Sequence, residues 1–251
     1  MKKRFLFAKL HRIGGILWRI RRGIDKMVIH ICLPFIVKQK TDLLQLQRFG
    51  SDYGGWTIPV KLLDENSIAY CVGVGVDATF DFTLVKEFGC NVFSFDPTPK
   101  AINYMDKAEY DRSKLKFLPI GVWNEDTELR FYSPANSAET SHSVFDLQGT
   151  GKYFTAKCHK LSTIMNELGH DHIDLLKLDI EGAWCNVVQN IVDEQIDITV
   201  LCVELDSPTT LFRVLKVKRM LSSIGFELVH YEKDNYLFIQ KSLLTKINSN
   251  D

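Results

Sequence analysis

Ile68-Ala69-Tyr70-Cys71-Val72 runs straight into Gly73-Val74-Gly75-Val76-Asp77, which opens an apolar pattern at Phe80, Leu84, Val85 and Phe88. A short apolar run, a glycine turn and helical spacing predict a strand, a tight turn and a helix. Asn91-Val92-Phe93-Ser94-Phe95 comes next and ends in Asp96-Pro97, with helical Ala101 to Ala108 behind it. Further strands are expected at Leu115 to Pro119, Ile173 to Asp179 and Thr199 to Glu204, with helical stretches between the later ones. Phe226 to Tyr231, a turn at Lys233-Asp234-Asn235 and Tyr236 to Ile239 read as a hairpin. This alternation predicts an α/β fold built on a mainly parallel, doubly wound sheet that ends in an antiparallel hairpin.

In such a sheet ligands bind beyond the carboxyl ends of the strands. The residues there are glycines and carboxylates: Gly73 and Gly75, then Asp96, then Asp179 and Glu181, then Glu204 and Asp206. Gly73 and Gly75 let a ligand approach the backbone near the amides of a helix start. Asp96 ends the next strand about 20 residues on, where a carboxylate can accept both hydroxyls of a ribose. Gly73-x-Gly75-x-x-Ala78 also fits the dinucleotide-binding form, so the spacing points to a nucleoside-containing cofactor without choosing which.

At 251 residues, 45% hydrophobic and 25% charged, the chain is long enough to bury a core without disulfide or metal staples. Its net charge of +0 hides a split. Residues 1–40 hold eleven Lys and Arg against Asp25 alone, so that segment carries +10 and the remainder −10. The acidic body is a poor match for nucleic acid, and the arm is the part suited to phosphate-rich surfaces. Ile13, Ile16, Leu17 and Ile20 among Arg12, Arg19, Arg21 and Arg22, with Trp18 at the edge, give a helix one apolar face. That face either lies in a membrane interface or docks on the protein's own core. The apolar run Met27 to Val37 falls short of the roughly 20 residues needed to span a bilayer, and no signal-peptide pattern accompanies it. The six cysteines include no CxxC pair, so no zinc site or disulfide framework is indicated and a cytosolic chain is expected. His170-Asp171-His172 reads as a polar turn before a strand, and no metal is assigned.

The separated motifs resemble those of the FkbM-type S-adenosylmethionine-dependent methyltransferases over roughly Arg48 to Gln240. They are Phe49-Gly50-Ser51-Asp52-Tyr53-Gly54-Gly55-Trp56, Val72 to Asp77, Phe95-Asp96-Pro97-Thr98-Pro99, Gly121-Val122-Trp123-Asn124 and Ile173 to Ala183, with Gly225-Phe226 and Asn235 to Phe238 closing the set. The resemblance implies a class I methyltransferase (Rossmann-like) sheet of seven strands and S-adenosyl-L-methionine as cofactor. It implies a cofactor set of Gly73, Gly75, Asp77, Asp96, Gly121 and Val122, with Asp96 at the ribose and Gly121 and Val122 near the adenine. The acceptor would approach from the side of Asp179 and Glu181, and the family's association with O-methylation implies a hydroxyl on a sugar, glycan or other small natural product. Trp184 departs from the acidic residue expected there, which puts the acceptor pocket in question. The corresponding organisation is a basic arm at 1–47, the methyltransferase domain at 48–241 and a polar tail at 242–251.

A neutral alcohol is a weak nucleophile, so transfer to a hydroxyl needs a proton acceptor as well as in-line positioning. The candidates are Asp179, Glu181 and His142, the last between Ser141 and Ser143 on a polar loop. Two other functions fit parts of the pattern. The glycine turn alone allows an NAD(P)-dependent oxidoreductase, and the +10 arm with Trp184 allows a membrane-docked binding protein that keeps the fold without the chemistry.

Overall fold

A computed structural model describes residues 20–37, 44–136, 142–146, 149–205 and 209–248. A helix at 20–36 (α1) leads to Leu46–Phe49 (β1) and Trp56–Pro59 (β2), an antiparallel pair. Ile68–Val72 (β3), Thr79–Phe88 (α2), Asn91–Phe95 (β4), Pro99–Lys107 (α3) and Leu115–Leu118 (β5) follow in the expected alternation. Gly121–Val122 (β6), Thr127–Tyr132 (β7) and Tyr153–His159 (β8) form a separate three-stranded sheet in the order β6-β8-β7. The chain then runs through Leu161–Leu168 (α4), Ile173–Leu178 (β9), Trp184–Asp193 (α5), Ile198–Glu204 (β10) and Leu211–Ser223 (α6). It closes with Phe226–Glu232 (β11), Asn235–Gln240 (β12) and Lys241–Asn248 (α7).

The main sheet has seven strands in the order β11-β12-β10-β9-β3-β4-β5. β5, β4, β3, β9 and β10 are mutually parallel, and β12 is antiparallel to both of its neighbours. From β3 the chain builds outward through β4 and β5, then returns to lay β9 on the other side. The switch point of the topology is therefore the crevice between β3 and β9, where α/β sheets bind their ligands.

Near-continuous apolar runs make the central strands because both sheet faces are covered. Along β3, Tyr70 and Val72 face one core with Leu176, Leu178, Leu201 and Val203, while Ala69 and Cys71 face the other with Leu175, Val200 and Cys202. Ile29 and Leu33 of α1, Ile164 of α4, Val187 of α5 and Val214 of α6 close the first core. Phe80 and Leu84 of α2, Met105 of α3 and Leu244 of α7 close the second. A polar tail is expected from 242, yet residues 241–248 are helical, and buried Leu244 explains why that segment docks.

The side sheet and the β1-β2 pair are not foreseen by the apolar pattern. β7 and β8 alternate half-buried residues with exposed Glu128, Arg130, Tyr153, Thr155 and Lys157, so neither reads as an apolar run. In the arm, Ile29, Leu33 and Val37 are buried, so one face of α1 does dock on the core. Ile13, Ile16, Leu17, Trp18, Ser141 and Asp206 lie outside the described residues.

Candidate active site

Gly73 leaves β3 at φ +89°, a conformation that favours glycine, and a Cβ built on it would stand 1.8 Å from the carbonyl oxygen of Asp179. Only a residue without a side chain lets the ends of β3 and β9 meet this closely. Phe95 O accepts from Gly73 N at 2.9 Å and Val72 O accepts from Asp179 N at 3.0 Å, so three strand ends are laced together. Gly75, at φ +58°, then turns the chain toward α2.

Asp96, buried at the end of β4, holds this loop in shape. Its Oδ2 accepts from the amides of Val74 at 3.0 Å and Gly75 at 2.8 Å, and its Oδ1 accepts from Thr98 N at 2.8 Å. A carboxylate has about four acceptor positions, so three amides leave room for one more donor. Thr98 caps α3, accepting from Ala101 N at 3.3 Å.

Asp77 belongs to the same loop but faces the turn between β1 and β2. Its carboxylate accepts from Ser51 Oγ at 2.5 Å and from Thr79 Oγ1 at 2.6 Å and N at 3.0 Å. Burial alone would raise its pKa, but these hydrogen bonds outweigh that and hold the carboxyl below its ordinary range. Gly54 faces it closely, since a Cβ there would sit 3.0 Å from the Asp77 carboxyl group. Asp77 thus clips the β1-β2 turn, with Tyr53 at its tip, over the glycine loop.

The opposite wall of the cleft is built from the β9 end and the 142–146 loop. Glu181 has φ +27° and Gly182 φ +82°, an uncommon backbone for a glutamate. Ser143 pins the loop to it: Ser143 Oγ donates to Glu181 O at 2.8 Å, while Ser143 exchanges backbone hydrogen bonds with Tyr132. His142 stacks edge-on against Phe154 of β8, with ring centroids 5.5 Å apart. Gly121 opens the side sheet where a Cβ would meet Cys158 Sγ at 2.6 Å, and Val122 beside it is buried.

All nine residues singled out by the sequence, Gly73, Gly75, Asp77, Asp96, Gly121, Val122, His142, Asp179 and Glu181, line one cleft of about 900 Å³, counting the space at its open mouth. Glycine backbone without Cβ atoms and a buried carboxylate give it the character of a nucleoside site. Trp184 is absent from its lining. It is buried in the core among residues such as Val187 and Val188 of its own helix, so it fills core volume, and Ala183 before it lines the cleft instead.

Sequence reasoning missed Lys177. It is buried on β9 and donates from Nζ to Gly73 O at 2.7 Å, with Asp179 Oδ2 at 3.6 Å. Burial opposes its charge, but the carboxylates of Asp179 and Asp81 outweigh that and raise its pKa. Asp81 is itself buried on α2, accepts from Ser94 Oγ at 2.5 Å, and is pushed up by desolvation, with Lys177 and Ser94 opposing. A lysine among the leucines at the carboxyl end of a central strand was the available signal, since such a charge is retained only when paired. The two histidines before β9 are engaged separately. His170 Nδ1 meets Tyr70 OH at 2.8 Å, and His172 meets Thr199 at 2.9 Å and Asp197 at 2.9 Å.

The strand order, the switch-point crevice and the glycine-carboxylate loop define a Rossmann-like fold of the class I methyltransferase type. Residues 67–228 match the methyltransferase FkbM domain, and the chain belongs to that family. It is 28% identical over 127 residues to the human protein called probable methyltransferase-like protein 24 and 27% identical over 127 residues to its rat counterpart. Each match covers 51% of this chain but only 28% of the human and 29% of the rat protein, so the likeness spans less than a third of either relative. Among solved structures, the Methanococcus jannaschii fibrillarin pre-rRNA processing protein aligns at a TM-score of 0.41 and 11% identity, over 70% of this chain and 67% of its own.

Proposed function

We propose that this chain is an S-adenosylmethionine-dependent O-methyltransferase acting on a hydroxyl of a sugar or other small acceptor. The observation that carries it is the convergence of the glycine loop, Asp96 and the Asp179–Glu181 segment on one crevice at the switch point. When bound, the sulfonium donor supplies a methyl group already activated for in-line attack, so positioning is the main task left to the protein.

Gly73 and Gly75 would hold the cofactor through backbone, Asp96 through its free acceptor position, and Gly121 and Val122 through the wall they form. Opposite them, Asp179, Glu181 and His142 line the cleft, and any of them in reach of the acceptor hydroxyl can take its proton. Glu181 is our first choice. Its positive φ is held by the Ser143 bond and the following Gly182, and backbone strain of this kind concentrates at functional sites.

Isothermal titration of the folded chain with S-adenosylhomocysteine tests the cofactor. Micromolar binding supports the proposal and turns the search to acceptors; absence of binding overturns it. A Glu181→Gln variant that binds S-adenosylhomocysteine normally and turns over a confirmed acceptor at the unmodified rate would remove Glu181 as the base.

A further inference from the structure

Helix α1 is apolar on two opposite faces. Ile29, Leu33 and Val37 are buried against the body. On the other side Ile20, Ile24, Met27 and Ile31 are 51–56% exposed and Phe35 is 88% exposed. At about 100° per residue these five fall in one stripe roughly 80° wide, centred opposite the docked face. Monomeric proteins seldom leave such a stripe bare unless something covers it.

The charge around it selects the occupant. Residues 1–40 carry +10, and residues 1–19 contain six Lys and Arg with no acidic residue. In the sequence the same spacing runs back from Ile20 through Leu17, Ile16 and Ile13, between Arg12 and Arg19. Pairing two copies through this stripe would bring two +10 segments together, whereas an anionic surface gains from the same charge. None of the described helices is long and apolar enough to cross a membrane; an apolar stripe beside basic charge is the pattern of a helix that lies on one.

Its position gives the contact a direction. Lys26 pairs with Asp234 at 3.1 Å, and Asp234 lies in the turn before β12, where Asn235 is opposite Glu204 at the carboxyl end of β10. That is the sheet edge on which the cleft opens. We infer that α1 is an interfacial helix that lays the body on an anionic lipid bilayer through Ile20, Ile24, Met27, Ile31 and Phe35, with the cleft-bearing edge of the sheet tied to the membrane-facing helix.

The test is co-sedimentation of the full chain with phosphatidylcholine vesicles, with and without phosphatidylserine, alongside a variant carrying Ile24→Glu and Ile31→Glu. Both side chains lie on the exposed face, and an unchanged melting temperature confirms that the variant is folded. The expected result is binding that requires phosphatidylserine and weakens more than about tenfold in the variant. Failure of the folded chain to bind anionic vesicles overturns the inference, as does binding that survives both substitutions. A concentration-dependent dimer of the unmodified chain that the same substitutions abolish would assign the stripe to a second copy and equally overturn it.

Discussion

Replacing Asp96 with alanine should cost stability as well as cofactor affinity. The sequence alone predicts lost binding with an intact fold, because a ribose-binding carboxylate need not support anything else. In the structure it accepts from three amides, those of Val74, Gly75 and Thr98. The Val74 and Thr98 bonds are buried, while the Gly75 amide is only partly buried. A hydrogen bond to a charged group contributes about 1.5–3 kcal/mol, so the two buried bonds set a loss of about 3–6 kcal/mol. Water entering the void from the cleft replaces part of this, which brings the expected loss to about 3 kcal/mol. For a domain of this size that lowers the melting temperature by about 6–12 °C. Loss of one charge-assisted bond to the nucleoside weakens S-adenosylhomocysteine roughly ten- to hundredfold. Calorimetric melting and titration of Asp96→Ala and Asp96→Asn read both effects, with the asparagine variant intermediate in stability because its single acceptor oxygen cannot serve both sides. An alanine variant that melts with the unmodified protein would refute the bracing role. Unchanged affinity would remove Asp96 from the cofactor site.

Three further outcomes follow from buried or partly buried groups. Lys177→Met leaves Asp81, Asp179 and the Gly73 carbonyl without their cation, and should cost about 3–5 kcal/mol in chemical denaturation; Lys177→Met combined with Asp81→Leu should recover part of that loss, and a double variant that is additive would refute the coupling. Trp184→Ala should destabilise by about 3–5 kcal/mol while leaving S-adenosylhomocysteine affinity unchanged, since the indole fills core and not cleft; a stable variant with altered binding would return Trp184 to the pocket. Burial lowers the pKa of His230 from 6.5, with Glu232 opposing, so the unfolded chain binds its proton first on acidification. Stability linked to His230 is present above pH 6.5 and is lost as pH falls through the window down to its folded value, so His230→Phe should flatten the fall in melting temperature below pH 6.5.

The parallel strands were legible because burial on both faces writes them as unbroken apolar runs, and the glycine loop because its geometry tolerates few other residues at Gly73. The carboxylates at the strand ends could be placed from order alone, since a doubly wound sheet brings all of those ends to one edge. What the sequence did not disclose depends on contacts between distant segments. Lys177 looks like an interruption of the leucines in β9 until Asp81, nearly a hundred positions earlier, is found to act on it. Trp184 was ambiguous for a related reason: a helix's first residue can point to the site or into the core, and only the packing of α5 decides. Helix α1 left membrane and core as rival destinations because it has two apolar faces, and docking one of them on the body leaves the other still to be covered.

The Lys177 contacts also explain why both halves of the cleft should respond to one substitution. The glycine loop belongs to β3 and the candidate base to the segment after β9, two strands adjacent in space but about a hundred residues apart in the chain. Gly73 lets the two ends touch, yet close backbone approach alone fixes only their distance. The Lys177 ammonium adds orientation, donating to the Gly73 carbonyl on one side and lying near the Asp179 carboxylate on the other. A charge-assisted bond of this kind in a buried crevice is strong enough to set which way each loop turns. Lys177→Gln, which keeps a donor one bond shorter than the lysine but carries no charge for Asp179, should therefore spare S-adenosylhomocysteine affinity more than Lys177→Met does, while both variants slow turnover of a confirmed acceptor. Equal loss of cofactor affinity in the two would show that the charge, and not the bond to Gly73, holds the loop.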